Sequence, residues 1–315
     1  MIFKYFDLKS EQSLLRISIF STILLAIVGI IFGLLARSST IIFDSIYGMI
    51  DAVMTTLALI VAKLITNSTS KDFINNKLEK HFTMGFWHLE PIVLGVNGIL
   101  LIGAATYAFI NAIDSFLIGG REILFGYAIV ISSISIVIEL SLGLFIKKAN
   151  KEIKSEFLNL DSISWLISAS MSLGYLIAFS FGYIVQNTTL QWITPYIDPL
   201  VLIIVCIFII PMPFKTVKQA LADILLVTPS ELKSQVDKVA QHIVNKYGFE
   251  YFRAYVARVG RGKQIELYFI VPKSWPAKRL EEWDFLRDEI EKELGKDDPD
   301  LWLTIVFTTD SEWAE

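Results

Sequence analysis

Apolar residues gather in six long stretches along this chain, separated by short polar breaks. The stretches are Ser13–Ala36, Ser39–Ile65, Pro91–Ile118, Ile123–Ile146, Phe157–Val185 and Tyr196–Ala220. Each is long enough for a helix to cross a bilayer, which takes about 20 residues. After Leu225 the pattern changes to that of a water-exposed fold. Leu232, Val236, Val239 and Ile243 repeat at helical spacing within TPSELKSQVDKVAQHIVNKYGF. Thr228 reads as the N-cap of that helix, with Pro229 at its first position and Glu231 completing a capping box. YFRAYVARVGRGKQIELYFIV alternates on both sides of GRGK and predicts a hairpin. RLEEWDFLRDEIEKEL predicts an amphipathic helix and LWLTIVFTT a last strand. The order α-β-β-α-β predicts a small α+β domain with its helices on one face of the sheet. The organisation is thus a six-helix transmembrane domain, residues 1–225, and a C-terminal domain, residues 226–315.

Composition agrees. Of 315 residues, 54% are hydrophobic and 19% charged, and the mean hydropathy is +0.55. Soluble domains average about 45–50% apolar and 25% charged. The net charge of -4 is mild and points to no nucleic-acid partner. The single cysteine, Cys206, lies in an apolar run and reads as core packing. MIFKYFDLKSEQSLLR contains acids and does not read as a secretory signal. Basic residues alternate between loops. Lys4, Lys9 and Arg16 flank the first span, Lys71, Lys77 and Lys80 precede the third, and Lys147, Lys148, Lys151 and Lys154 follow the fourth. The other loops offer little beyond Arg37 and Arg121, so the positive-inside rule places both termini in the cytoplasm.

Acids inside these spans carry the chemistry, because a carboxylate at bilayer depth costs at least about 2.5–3.5 kcal/mol. Asp44, Tyr47 and Asp51 stand at i, i+3 and i+7 on the second span and share a face. Asp161, Ser164 and Ser168 repeat that spacing on the fifth, and FDSIYGMIDA and LDSISWLISA share Asp-Ser-Ile. Matched oxygen-bearing side chains imply two helices facing one polar site. Glu139 lies deep in the fourth span. It is either a proton relay or the partner of a serine. Asp198 precedes Pro199 and reads as the N-cap of the sixth span. Trp87 and Trp192 suit interfacial anchoring, and Gly98 and Gly103 suit close helix contact. GRGK lacks the spacing of a phosphate loop. There is no nucleophile triad and no cofactor motif, so the residues do not read as an enzyme or as holding a tight cofactor.

Taken together, the features resemble the cation diffusion facilitator family over nearly the whole chain. The landmarks are Asp44, Tyr47 and Asp51, their counterparts on the fifth span, the segment MGFWHLEP, Asp198-Pro199 and LADILLVTP. The resemblance implies six spans with both termini inside, then a cytoplasmic ferredoxin-like domain. It implies a homodimer in a bilayer, here a bacterial inner membrane, exchanging a divalent metal ion for protons. The transport ligands would be Tyr47, Asp51, Ser164 and Ser168, with Asp44, Asp161 and Glu139 in support. His88 and Asp223 fall where the family places a charge interlock; a plain surface histidine is the other reading of His88. The chain departs from the family at Ser164 and Ser168, where His and Asp are usual. It departs again at Phe86, Trp283 and Val306, which replace histidines of other metal sites. His81 and His242 read as surface residues. Oxygen donors favour Mn²⁺ or Fe²⁺ over Zn²⁺.

Two readings stand for the buried groups. Asp51 is a metal ligand for which protons compete, or it is packing glue bonded to a neighbour. Tyr47, Ser164 and Ser168 are ligands, or they bond carbonyls of their own helices. The chain as a whole is a transporter, or a non-transporting regulatory or heteromeric subunit. The orientation is directly testable. Single cysteines placed near Lys77 and near Glu315 should label only from the cytoplasmic side, and labelling of the Glu315 position from outside would overturn the topology.

Overall fold

The computed structural model describes residues 11–68, 82, 85–153, 156–295, 298 and 300–314. Lys4, Lys9, Lys71, Lys77, Lys80, His81, Lys154 and Glu315 lie outside the described residues. The elements in order are α1 (Glu11–Ala36), α2 (Ser39–Ser68), α3 (Leu89–Leu117), α4 (Phe125–Ile153), α5 (Glu156–Val185), α6 (Thr194–Ile209), α7 (Phe214–Ile224), α8 (Ser230–Tyr247), β1 (Tyr251–Val259), β2 (Gly262–Ile270), α9 (Leu280–Leu294) and β3 (Leu301–Thr308). Six segments are long and apolar enough to cross a membrane, the last running through α6 and α7. That segment is not one straight helix, as the apolar run suggested. It breaks at 210–213, where Pro211 and Pro213 remove backbone donors and disfavour helix for the residues before them.

The chain forms two compact units, residues 1–56 with 97–214, and residues 57–96 with 215–315. In the first unit α4 and α5 pack side by side. A Cβ at Gly143 would stand 3.2 Å from Leu166 and Trp165, so the missing side chain sets that approach. Gly103, expected to serve the same purpose, has no such neighbour within 4 Å. Phe125, Ile131, Tyr175 and Phe179 form a buried cluster between these helices. Cys206 is fully buried beside Ala105 and Leu202.

Asp198 corrects an expectation. It is not the N-cap of its own helix but sits inside α6, 1% exposed. Its carboxylate receives the Ser38 hydroxyl at 2.5 Å, the Ser39 amide at 2.8 Å and the Thr40 amide at 3.3 Å. The Thr40 hydroxyl returns to the Asp198 carbonyl at 3.0 Å. Asp198 therefore caps the start of α2 from a distant part of the chain, satisfying amides that a helix N-terminus leaves without partners. The negative charge also suits the positive end of the helix dipole. Arg121 donates to Ser39 Oγ at 2.8 Å, which gives this cation a structural role.

The second unit contains the sheet, ordered β1-β2-β3, antiparallel then parallel. Ile265, Leu267 and Phe269 pair with Leu303, Ile305 and Phe307, so one face carries a continuous apolar row. Val236, Ala240 and Ile243 of α8 and Leu286 and Ile290 of α9 belong to the same core. Trp283 is part of it, its ring centroid 4.6 Å from that of Phe307. The hairpin turn is Gly260-Arg261, and Gly260 takes φ +62° as a tight hairpin demands. The cap of α8 differs from expectation. Pro229 occupies the cap position and no side chain bonds there, because the helix starts one residue later than Thr228 would require.

Trp87 does not serve only as an interfacial anchor. Its indole lies under the hairpin, where a Cβ at Gly262 would come within 2.6 Å of the ring. Glu90 accepts from the Arg261 amide and from its Nε and Nη2, each at 3.0 Å. The carboxylate beside Arg261 reinforces the charged guanidinium. Phe86 is 3% exposed within the cluster that includes Val61 and Ile65. The segment FWHLEP thus holds the β1–β2 turn through ring packing and a bidentate ion pair.

Removing the Asp198 carboxylate tests the distant cap. Asp198→Ala should destabilise the detergent-solubilised protein by about 1–3 kcal/mol, the cost of leaving buried donors unmet. A thermal-unfolding midpoint equal to that of wild type would refute the assignment.

Candidate functional site

Three helices of the first unit carry stripes of oxygen at helical spacing. On α2 these are Asp44, Tyr47 and Asp51. On α5 they are Asp161, Ser164, Ser168, Ser172 and Tyr175. On α4 they are Ser132, Ser135 and Glu139. All line one cavity of about 330 Å³, with Thr22 and Gly29 of α1 also on its wall. Each water takes about 30 Å³ in the liquid, so the space holds an ion together with water. The seven intramembrane residues singled out from the sequence are therefore brought together.

No Lys, Arg or His appears among the described residues lining this cavity. Four carboxylates, Asp44, Asp51, Glu139 and Asp161, line it without a basic partner among those residues. Among the described residues no three His, Cys, Asp or Glu groups converge on one point. An ion here would complete its shell with hydroxyls and water.

Each carboxylate has its own support. Tyr175 is 4% exposed and donates its hydroxyl to Asp44 Oδ1 at 3.2 Å. Ser18 of α1 donates to Asp161 Oδ1 at 2.8 Å, and the Trp165 indole donates to that same Ser18 at 2.8 Å. Asp161 Oδ2 has no partner. Asn97 of α3 reaches Asp51 Oδ1 at 3.4 Å, a long contact, and Asp51 is otherwise exposed. Glu139 is 7% exposed, faces the Ser172 hydroxyl, and keeps Oε2 without a partner. The serine-partner reading of Glu139 thus accounts for only part of its carboxylate.

The serines divide into two kinds. Ser45, Ser133, Ser162 and Ser170 return their hydroxyls to carbonyls of their own helices at 2.7–2.9 Å. Among the described residues, Ser164, Ser168 and Tyr47 make no such bond. Tyr47 packs its ring against Phe43, centroids 5.6 Å apart. Their hydroxyls remain available to a ligand.

Asp223 and His88 belong to the second unit. Asp223 is bound by Arg258 Nε at 3.1 Å and by Gln219 Nε2 at 2.6 Å. His88 stacks on Phe82, centroids 5.8 Å apart. The acid at the end of α7 thus pairs with a strand arginine. The sequence reading missed Ser18, Asn97, Ser135, Ser172 and Tyr175. Three of these had a signal. Ser172 and Tyr175 continue the stripe 161, 164, 168, and Ser135 stands four residues before Glu139. Ser18 lies on a helix that also carries Ser13, Ser21 and Thr22, and Asn97 on one that also carries Thr106, Asn111 and Asp114, so no spacing singles either out.

The family model of the cation efflux transmembrane domain matches residues 15–225. No curated protein matches the chain.

Proposed function

The chain belongs to the cation diffusion facilitator family, matched across 15–225 by the cation efflux transmembrane domain, and from that premise we propose that it exports a divalent metal ion in exchange for protons. It is an integral membrane protein of a transporter family, with six apolar segments able to span the bilayer. The proposed direction is out of the cytoplasm, with both termini inside and residues 226–315 forming the cytoplasmic domain. The proposed working unit is a homodimer. Its tail associates without metal, since Trp283 fills core space where the family has a histidine.

The observation that carries this reading is the cavity with four carboxylates and, among the described residues lining it, no basic side chain. Tyr47, Asp51, Ser164 and Ser168 are the proposed ligands, and Asp44 and Asp161 supply further negative charge. Attraction for an ion is several-fold stronger in a low-dielectric cavity than in water. The donors are hydroxyl and carboxylate oxygen, which suits Mn²⁺ or Fe²⁺ better than Zn²⁺. Protons compete for the same carboxylates, so a site emptied of metal is refilled by protons and the two flows become linked. A non-transporting role is the second reading, and the replacement of His and Asp by Ser164 and Ser168 favours it. Vesicle flux separates the two.

Purified protein in proteoliposomes with a pH gradient should move Mn²⁺ or Fe²⁺ faster than Zn²⁺. Asp51→Asn should abolish flux while the protein stays folded. Asp44→Asn and Asp161→Asn should each reduce it, most severely together. Normal flux through Asp51→Asn would place the site elsewhere, and no flux of any metal through wild type would favour the non-transporting role.

A further inference from the structure

One cavity holds two pairs of acids, and helix geometry keeps them apart. Asp44 and Asp51 are seven residues apart on α2, a rise of about 10 Å. Oxygen ligands stand about 2.0–2.6 Å from a hard divalent ion. Two ligands of one ion are therefore within roughly 5 Å of each other, and Asp44 and Asp51 cannot both hold the same one. Glu139 goes with Asp44, since both line the cavity together with Tyr175, which donates to Asp44, and Ser172, one turn earlier on α5, which bonds Glu139. Side chains on a helix lean toward its N-terminus, which carries the Glu139 carboxylate back toward Ser135, one turn earlier on α4.

Two further observations point to a ligand at this place. Glu139 lines the cavity, is only 7% exposed, and its buried Oε2 has no hydrogen-bond partner. Ser132, 3% exposed and also on the cavity wall, has an unpartnered Oγ. Buried polar atoms are nearly always partnered, and leaving one bare is costly. No cation of the protein answers Glu139 among the residues lining the cavity.

We propose that Asp44 and Glu139, with Ser135, Ser172 and the Tyr175 hydroxyl, form a second station for a hard divalent cation, separate from the station at Asp51. Ser132 lies one turn further along α4 and offers an oxygen on the way to or from it. The two carboxylates match the charge of one divalent ion, and the hydroxyls and water fill the remaining coordination positions. This station rests on the reading of the cavity as a cation path, but it is defined by residues outside the four proposed transport ligands. It is filled at equilibrium, whether or not the protein turns over.

Equilibrium binding of Mn²⁺ to the purified full chain, read by electron paramagnetic resonance of the free ion, tests this without relying on flux. Wild type should bind two Mn²⁺ per chain. Asp51→Asn should lose one and retain the other with its affinity unchanged. Glu139→Gln, which keeps the side chain's shape, should lose the other and retain the Asp51-dependent ion, and Asp44→Asn should weaken that same ion at least tenfold. A gel-filtration profile equal to that of wild type confirms that each variant is folded. Should Glu139→Gln misfold, Asp44→Asn alone decides. A single Mn²⁺ per wild-type chain that disappears with Asp51→Asn would overturn the second station while leaving the proposed transport site standing. Loss of only a single ion in Asp51→Asn together with zero flux would support both. Unchanged stoichiometry in both Glu139→Gln and Asp44→Asn would also overturn it.

Discussion

Negative charge without a basic counterpart governs the first unit. Asp44, Asp51, Glu139 and Asp161 reach one cavity from three helices, and among the described residues no Lys, Arg or His joins them there. A fold that needed these acids only for packing would pair them, because removing an ion from water costs several kcal/mol even after relaxation. Here the protein supplies partial answers: one hydroxyl to Asp44, one to Asp161, a long amide contact to Asp51. Those bonds orient the carboxylates without neutralising them. The remaining charge is left unanswered by the protein, and the proposed transport path rests on this shortfall.

Orientation then depends on how the helices are held. The start of α2 is fixed by Asp198 of α6, which receives two amides and a serine hydroxyl. That cap sets the height of Asp44, five residues into the helix, against Tyr175 of α5. The start of α5 is fixed by Ser18 of α1, through Asp161 and Trp165. Both anchors come from elements far away in sequence. In the second unit the same logic recurs at the hairpin turn, which Glu90 holds through three bonds to Arg261.

Much of this was legible in the sequence because it rests on periodicity. The six apolar stretches and the α-β-β-α-β order follow from residue spacing alone, as does the clustering of Asp44, Tyr47, Asp51, Asp161, Ser164 and Ser168. What failed to show were contacts between distant segments. Asp198 before a proline looks like a local cap, and nothing nearby reveals that it serves Ser39 and Thr40 instead. Trp87 looks like an interfacial aromatic until Gly262 is seen to leave room for its ring. Asp223 drew attention toward His88, yet Arg258 lies on a strand whose register no local pattern gives. The break of the sixth stretch, by contrast, was written in Pro211 and Pro213, and the apolar run around them hid it.

Spacing within the cavity also bears on whether two cations can coexist there. Two bare divalent ions about 10 Å apart repel by roughly 7 kcal/mol at an effective dielectric constant near 20. That repulsion would forbid joint occupancy if one pair of acids had to serve both. Four carboxylates change the sum, since an ion held by Asp44 and Glu139 carries no net charge toward one held by Asp51 and Asp161. What remains is the weaker interaction of neutral clusters. Protonating either pair removes its compensation and so disfavours metal at that position first. In the proposed transporter, two acid pairs along one path would let protons displace ions stepwise, whereas a single crowded cluster would have to release everything at once.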